Sequence, residues 1–172
     1  MIMHLIRKAK ISDWEALRKI YISCSTWLAQ QGWNHWESTS YRYEKEKVVQ
    51  RIREKDVYIL FYEKAAVGTI TLSYETPPYY KGYSFWEKPS SPAVYVSMLA
   101  VLPDHQRKGF GSMLLKFSEE KARRMHVHYV RFDAIADYKE LNEFYLRRGY
   151  KIVGKDVFKN VEGNFFEKRL TN

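Results

Sequence analysis

The stretch Val94–Met125, VYVSMLAVLPDHQRKGFGSMLLKFSEEKARRM, changes character twice. Val94 to Val101 is an almost unbroken apolar run rich in β-formers, which predicts a buried strand. Pro103 and Asp104 end it. Gln106-Arg107-Lys108-Gly109-Phe110-Gly111 predicts a tight turn, and Ser112 follows it. Beyond the turn, Leu114, Leu115, Phe117, Ala122 and Met125 recur at roughly helical spacing and predict an amphipathic helix.

Such a turn is built to meet an anion. Glycines permit positive φ and let backbone N–H groups approach a ligand closely. Those N–H groups sit at a helix N-terminus, whose partial positive charge favours phosphate. Arg107 and Lys108 add formal charge, and the combination suits a pyrophosphate. The same residues also fit a plain strand-to-helix turn carrying two exposed cations. The Gly-Lys-Ser/Thr ending of a P-loop is absent, and so is the third glycine of a dinucleotide fingerprint.

Gln106-x-x-Gly109-x-Gly111, placed after the strand end Leu99-Ala100-Val101, resembles the acetyl-coenzyme A signature of the GNAT N-acetyltransferases, Gln/Arg-x-x-Gly-x-Gly/Ala. Further on, Leu141-x-x-Phe144-Tyr145-x-x-x-Gly149-Tyr150 resembles that family's second signature. The resemblance implies a single α/β (α+β) domain over residues 1–172. Its central sheet would be mixed, mostly antiparallel, of about six to seven strands, flanked by about four helices and splayed at the cofactor site. It implies acetyl-coenzyme A as cofactor. Leu99, Ala100 and Val101 would meet the pantetheine arm, and Gln106, Arg107, Lys108, Gly109, Phe110, Gly111 and Ser112 the pyrophosphate. The Leu99 N–H would be the oxyanion donor. Tyr145 matches the frequent general acid of the family; a phenol is protonated at neutral pH and can serve as donor. Read without the motif, Tyr145 is equally a core aromatic at helical spacing.

The chain departs from the pattern in two places. The family often has Asn seven residues before the tyrosine, where this chain has Tyr138; Asn142, one turn later, is the candidate cofactor contact. Some members carry a Glu base on the central strand, and the matching position here is near Tyr95. Glu75, His35 or a water chain are left as candidate bases.

Composition sets the frame. The chain has 172 residues, 45% hydrophobic, enough for one domain with a sizeable core. No apolar run reaches membrane-spanning length and the first residues lack a signal-peptide core, which points to a cytoplasmic protein with no membrane partner. Cys24 is the single cysteine and lies in a helical pattern, so no internal disulfide exists and a packed thiol is expected. The five histidines show no zinc spacing, and no metal is expected. Net charge is +9, but Lys and Arg are spread along the chain rather than massed in one tail. Spread charge reads as a solvated surface and not as a nucleic-acid interface.

His4–Ala9 predicts a first strand. Ser12 with Glu15 predicts a capping box opening a helix from Asp13 to Gln31, closed by Gly32. Trp33-Asn34-His35-Trp36 is an aromatic patch that reads either as a lid on the core or as an acceptor-pocket wall. Glu44–Glu54 predicts a surface helix, and Val57–Tyr62 with Ala66–Tyr74 a hairpin. Gly68 marks a bulge or a close approach. Residues 75–92 hold four of the five prolines and five aromatics, which predicts a long loop. It reads as a substrate-specificity loop or as an aromatic flap on the sheet edge or a partner subunit. In the strand 128–136, alternation puts Arg131, Asp133 and Ile135 on one face. Asp133 is either a paired structural carboxylate or a site residue. A short helix from Asp137 or Tyr138 to Gly149 and strands at 150–158 and 164–170 complete the chain.

These readings converge on acetyl transfer from acetyl-coenzyme A to a primary amine, small-molecule or peptide, by direct attack, in a monomer or homodimer. A catalytically idle acyl-coenzyme A-binding module and a basic nucleic-acid binder are the alternatives.

Overall fold

The computed structural model describes residues 4–36, 42–158 and 160–171, with the backbone alone at Phe158. Seven strands are hydrogen-bonded in the order β1-β2-β3-β4-β5-β7-β6. Among the described residues four α-helices accompany them, α1 Trp14–Gln30, α2 Lys45–Glu54, α3 Phe110–Arg124 and α4 Lys139–Leu146. The chain forms two compact units, one of residues 1–72 and 98–116, the other of 73–97 and 117–172. No helix among the described residues is long and apolar enough to cross a membrane.

The first unit is built on three antiparallel strands, β1 His4–Lys8, β2 Asp56–Tyr62 and β3 Ala65–Ser73. Glu63 and Lys64, at φ 48° and 70°, make a two-residue turn between β2 and β3. Positive φ at both positions matches the right-handed twist of a hairpin. Gly68 sits at a register shift next to Leu60 and Phe61 and also at a close approach. A Cβ there would lie 3.1 Å from the Ala100 carbonyl oxygen and 3.2 Å from Leu114 Cδ1. Leu17 and Tyr21 of α1 and Val48 and Ile52 of α2 pack on Val57 and Ile59. The entry to α1 differs from the Ser12 cap predicted. Ile11–Asp13 is a 3₁₀ turn, and Asp13 Oδ2 accepts the Lys10 N–H at 2.7 Å and Arg7 Nη1 at 2.8 Å. A carboxylate that satisfies an orphan amide and a guanidinium together outcompetes a neutral hydroxyl.

The second unit carries β5 Tyr129–Ile135, β6 Lys151–Phe158 and β7 Val161–Arg169, with the first part of β4 Ala93–Val101. β5 and β7 pair antiparallel from Tyr129↔Arg169 to Ile135↔Gly163. β4 and β5 run parallel and pair over Ala93↔Tyr129, Val94↔Val130 and Tyr95↔Arg131. The β6–β7 turn is tighter than the five-residue link read from the sequence, because Phe158 already pairs with Val161 and Asn160 takes φ 65°; Lys159 lies outside the described residues.

The 75–92 segment packs on a sheet face, not an edge. In register, Asp133 faces Phe165 and Phe165 faces Gly154, so one face runs across β5, β7 and β6. Tyr80, Trp86, Ala93, Tyr95, Tyr129 and Phe165 form a buried cluster on it, with Tyr83 and Phe85 packed against them. The Phe85 ring lies so close that a Cβ on Gly154 would be 2.5–2.8 Å from three of its atoms. The other end of the loop is held by a buried ion pair. Arg131 Nε meets Glu167 Oε2 at 2.6 Å, while its other nitrogens donate to the Lys88 carbonyl at 2.7 Å and the Ser91 carbonyl at 3.2 Å. Glu167 Oε1 accepts the Glu87 N–H at 2.9 Å. The guanidinium lies 5.1 Å from the Trp86 ring and 5.0 Å from the Tyr129 ring. With nearly all its donors matched, this pair can be buried without an orphaned charge.

Candidate active site

In the first unit, the strand-turn-helix comes apart into three devices. β4 is distorted first: Met98 sits at φ 50° inside the strand. A non-glycine residue in that region is strained, and such strain is held at functional sites. The residue that follows it is Leu99. Nothing in the residue types announces the strain, because Met is neither glycine nor asparagine.

The turn itself is the second device. Pro103–His105 makes a 3₁₀ turn, Arg107 takes φ 60° and Gly109 φ 85°. A Cβ built on Gly109 would meet nothing within 4 Å, so the glycine is required by its backbone angle and the space before it is open. The helix begins at Phe110, within the glycine motif rather than after it, and Met113 is the residue that closes on Gly109 O, at 3.0 Å. The amides of the first turn therefore have no acceptor inside the helix. Arg107, Lys108 and Gly109 are exposed. Phe110 is instead buried and anchors the turn against His4, Tyr62 and His105, with ring centroids 5.2–6.2 Å away.

The third device fixes the strand end. Cys24 donates its thiol to the Val101 carbonyl at 3.2 Å, and Gln106 Nε2 reaches the same oxygen at 3.4 Å. Burial pushes the Cys24 thiol up to about 12, so it packs and is no nucleophile at neutral pH. The Val101 carbonyl is thus engaged by the protein itself, and the Gln106 side chain bends back toward the strand.

In the second unit, Tyr145 of α4 is buried against Phe132 at 4.6 Å and Phe166 at 5.1 Å. Burial first, then the nearby Asp133 charge, raise its pKa and hold the phenol protonated. Asn142, a candidate cofactor contact, has its amide committed elsewhere. Nδ2 donates to the carbonyls of Ile135, Ala136 and Tyr138 at 2.7–3.3 Å, and Oδ1 accepts Asn164 Nδ2 at 2.8 Å. It fixes the β5–α4 turn under Tyr145, a role its spacing does not reveal. Tyr95, where some GNAT enzymes carry a Glu, bonds Thr76 Oγ1 at 2.9 Å and accepts from Arg131 Nη1 at 3.3 Å. Of the remaining candidate bases, His35 has its pKa lowered by burial and Glu75 is exposed.

Asp133 is the side chain the sequence left undecided. It accepts a hydrogen bond from Tyr80 through Oδ1, and its neighbour on the same face, Arg131, is taken by Glu167. The matching pair Tyr83–Asp156 lies on the same sheet face. Loop and strand residues so distant in the chain offer no spacing signal.

The comparisons agree with this architecture. The family model for the acetyltransferase (GNAT) family matches residues 14–150. An uncharacterized N-acetyltransferase of Bacillus subtilis (strain 168), YesJ, is 22% identical over 163 residues, covering 95% of this chain and 88% of that protein. A GNAT family acetyltransferase from Listeria monocytogenes superposes with a TM-score of 0.79 at 21% identity, over 97% of this chain and 95% of the other. The PaiA N-acetyltransferase of Thermoplasma acidophilum, solved with coenzyme A, gives 0.75 at 20% identity, over 98% and 99%. With the family model covering both signatures, the chain belongs to the GNAT acetyltransferase family.

Proposed function

We propose that this chain is an N-acetyltransferase that uses acetyl-coenzyme A and a primary amine. The observation that carries the reading is Gly109: at φ 85°, with open space before it, it opens α3 beside exposed Arg107 and Lys108. Amides with no acceptor inside the helix, a helix dipole and two cations at one turn fit a diphosphate. PaiA, of the same fold, is bound to coenzyme A.

Bound there, acetyl-coenzyme A would supply an activated acetyl group and leave as the thiol. The chain's residues take the following parts. The amides from Lys108 to Ser112 and the charges of Arg107 and Lys108 bind the diphosphate. The Gln106 side chain steadies the turn through Val101 O, and Ala100, buried on Gly68, keeps the strand end in place. The backbone of Leu99 and the N–H of Val101 receive the pantetheine arm as a further strand would. The Leu99 amide, next to the strained Met98, donates to the negative charge that develops on the carbonyl oxygen. Tyr145 holds the proton for the departing thiolate, and Asn142 positions α4 beneath it.

Titration calorimetry with coenzyme A, followed by thiol release over an amine panel, tests this. Wild type binds coenzyme A and releases thiol with at least one amine, and Gly109→Glu loses binding, since it sets a carboxylate against the diphosphate. Normal affinity in Gly109→Glu overturns the cradle. Binding without thiol release on any amine makes the chain an idle module.

A further inference from the structure

We propose that Tyr21, Arg51 and Thr71 form a binding site for one small monoanion of carboxylate type, where α1 and α2 cover the sheet of the first unit. The site itself does not depend on the acetyltransferase reading; only one source of the carboxylate, the acceptor amine's own acid group, does.

Three elements bring these side chains together. β2 and β3 pair at Val57↔Thr71 and Ile59↔Thr69, so both threonines share the face on which Val57 and Ile59 lie. Tyr21 of α1, with Val48 and Ile52 of α2, closes over that face. Arg51 stands just before Ile52 and sets its guanidinium against Tyr21, with Cζ 5.2 Å from the ring centroid. Burial raises the pKa of the Tyr21 phenol, and Arg51, Thr69 and Thr71 all oppose that rise. The phenol is therefore the group that the other three share as a neighbour.

Their hydrogen bonds do not close. Thr69 donates its hydroxyl to Tyr58 O at 2.9 Å and is satisfied. The Tyr21 phenol oxygen, Thr71 Oγ1 and Arg51 Nη1 are each hidden from water, and none meets a partner at hydrogen-bonding geometry. Tyr21 and Thr71 are 0% exposed, and Arg51 is half-buried. Buried polar groups are paired as a rule, because an orphan loses its hydration and gains nothing for it. Each of these three has a hydrogen to donate: a phenol, an alcohol and a guanidinium N–H. Three neighbouring donors call for one shared acceptor.

Charge selects that acceptor. The guanidinium is always cationic, and among the described residues no carboxylate pairs with it. Glu54, three residues on, takes Gln50 Nε2 at 2.9 Å instead. A water would supply hydrogen bonds and leave the charge unmatched. A monoanion supplies both, and a single guanidinium balances a single charge. A carboxylate divides the task well, one oxygen toward Nη1 and the other toward the two hydroxyls. Half-buried Arg51 marks the way in, since the ligand has one flexible side chain to pass rather than a core to cross. The carboxylate is either free or the acid end of the acceptor. Met98, next to Leu99, packs against the same apolar cluster as Tyr21, which is in keeping with the second source.

The binding arm of the test titrates sodium acetate against sodium morpholinoethanesulfonate, a bulky anion, at constant ionic strength and reads Tm. Wild-type Tm is expected to rise along a saturating curve, by about 3–6 °C once acetate is about tenfold above its midpoint. Tyr21→Phe and Thr71→Val each remove one hydroxyl and keep the shape; each should weaken acetate by about tenfold. Arg51→Met keeps an apolar stem against Tyr21 and should abolish the acetate dependence. A wild-type Tm indifferent to acetate, or an acetate response retained in Arg51→Met, overturns the site. If Arg51→Met does not fold, the two isosteric variants decide, and unchanged acetate midpoints in both overturn it.

The source arm compares kcat/KM for β-alanine with β-alaninamide, and for γ-aminobutyrate with its amide. A preference for the acids of about tenfold or more, lost in Arg51→Met and competed away by acetate, makes the acceptor the source. Acetate binding without that preference makes the ligand a free carboxylate and supports the site equally. If no amine is acetylated, the enzyme reading fails, and the acetate titration still decides this inference alone.

Discussion

Gly154→Ala puts one methyl group where the Phe85 ring already lies. A Cβ would stand 2.5 Å from Phe85 Cγ and 2.7 and 2.8 Å from its two Cδ atoms. These are the rigid inner atoms of a ring, not the end of a flexible chain, so a rotamer change cannot clear them. Phe85 is itself enclosed by Tyr83 at 4.8 Å, Trp86 at 5.3 Å and Phe165 at 4.6 Å between ring centroids. The loop backbone must lift. Overpacking of this kind destabilises by about 1–3 kcal/mol. Removing a glycine from a strand returns about 0.5–1 kcal/mol through the unfolded state. The net expectation is a loss of about 1–2 kcal/mol, or about 3–6 °C in Tm for a chain of this size. Thermal and urea denaturation of Gly154→Ala, Phe85→Ala and the double variant check it. In the Phe85→Ala background the clash is gone, so Gly154→Ala should become neutral or stabilising, a coupling of about 1.5–3 kcal/mol. Gly154→Ala as stable as wild type, or additive with Phe85→Ala, would refute the claim that this glycine exists to seat the loop.

Arg131→Met leaves Glu167 buried without its partner and should lower stability by about 3–5 kcal/mol, read as a drop in Tm, with much of it recovered in Arg131→Met/Glu167→Leu. Tyr145→Phe should reduce kcat by about 10²- to 10⁴-fold with coenzyme A affinity unchanged; an unchanged rate with the chemical step limiting removes Tyr145 as acid. Asp133→Asn should raise Tm at neutral pH. The folded-state pKa of Asp133 is raised, so its ionisation weakens the fold as pH climbs from about 3.9 through that raised value. The variant's advantage should therefore vanish near pH 3 and grow as pH climbs through that raised value, and the same advantage at both ends would sink the assignment of a desolvated carboxylate. Asp13 works in the opposite sense: Arg7 holds its pKa low, so Asp13→Asn should lose stability at neutral pH, with the difference from wild type closing as pH falls below about 3.9.

The turn between β4 and α3 was legible because its physics is local. Positive φ and a helix start are properties of neighbouring residues, so Gly109, Gly111 and the apolar run before them announce themselves. The same holds for the strands and helices, whose periodicity records which side each residue must hide. Helix entry was less legible: Ser12 reads as the cap, and only the arrival of Arg7 from β1 shows Asp13 taking the guanidinium and the Lys10 amide at a 3₁₀ turn instead. Asn142 reads as a ligand contact until the carbonyls of β5 and the Asn164 amide close round it. Met98 carries no local sign of its strain, because the surrounding sheet imposes it.

The sequence alone thus determined the family, the glycine turn between β4 and α3 and the order of elements, since each follows from the chemistry of adjacent side chains. Only the tertiary structure decided where the 75–92 loop packs and which side chain meets Asp133. Tyr80 and Asp133 are 53 residues apart, as are the loop and the strands it covers on that scale, and the charge state of a carboxylate is set by whatever the fold brings against it. Whether a counter-ion comes with it is a fact of packing that no spacing encodes.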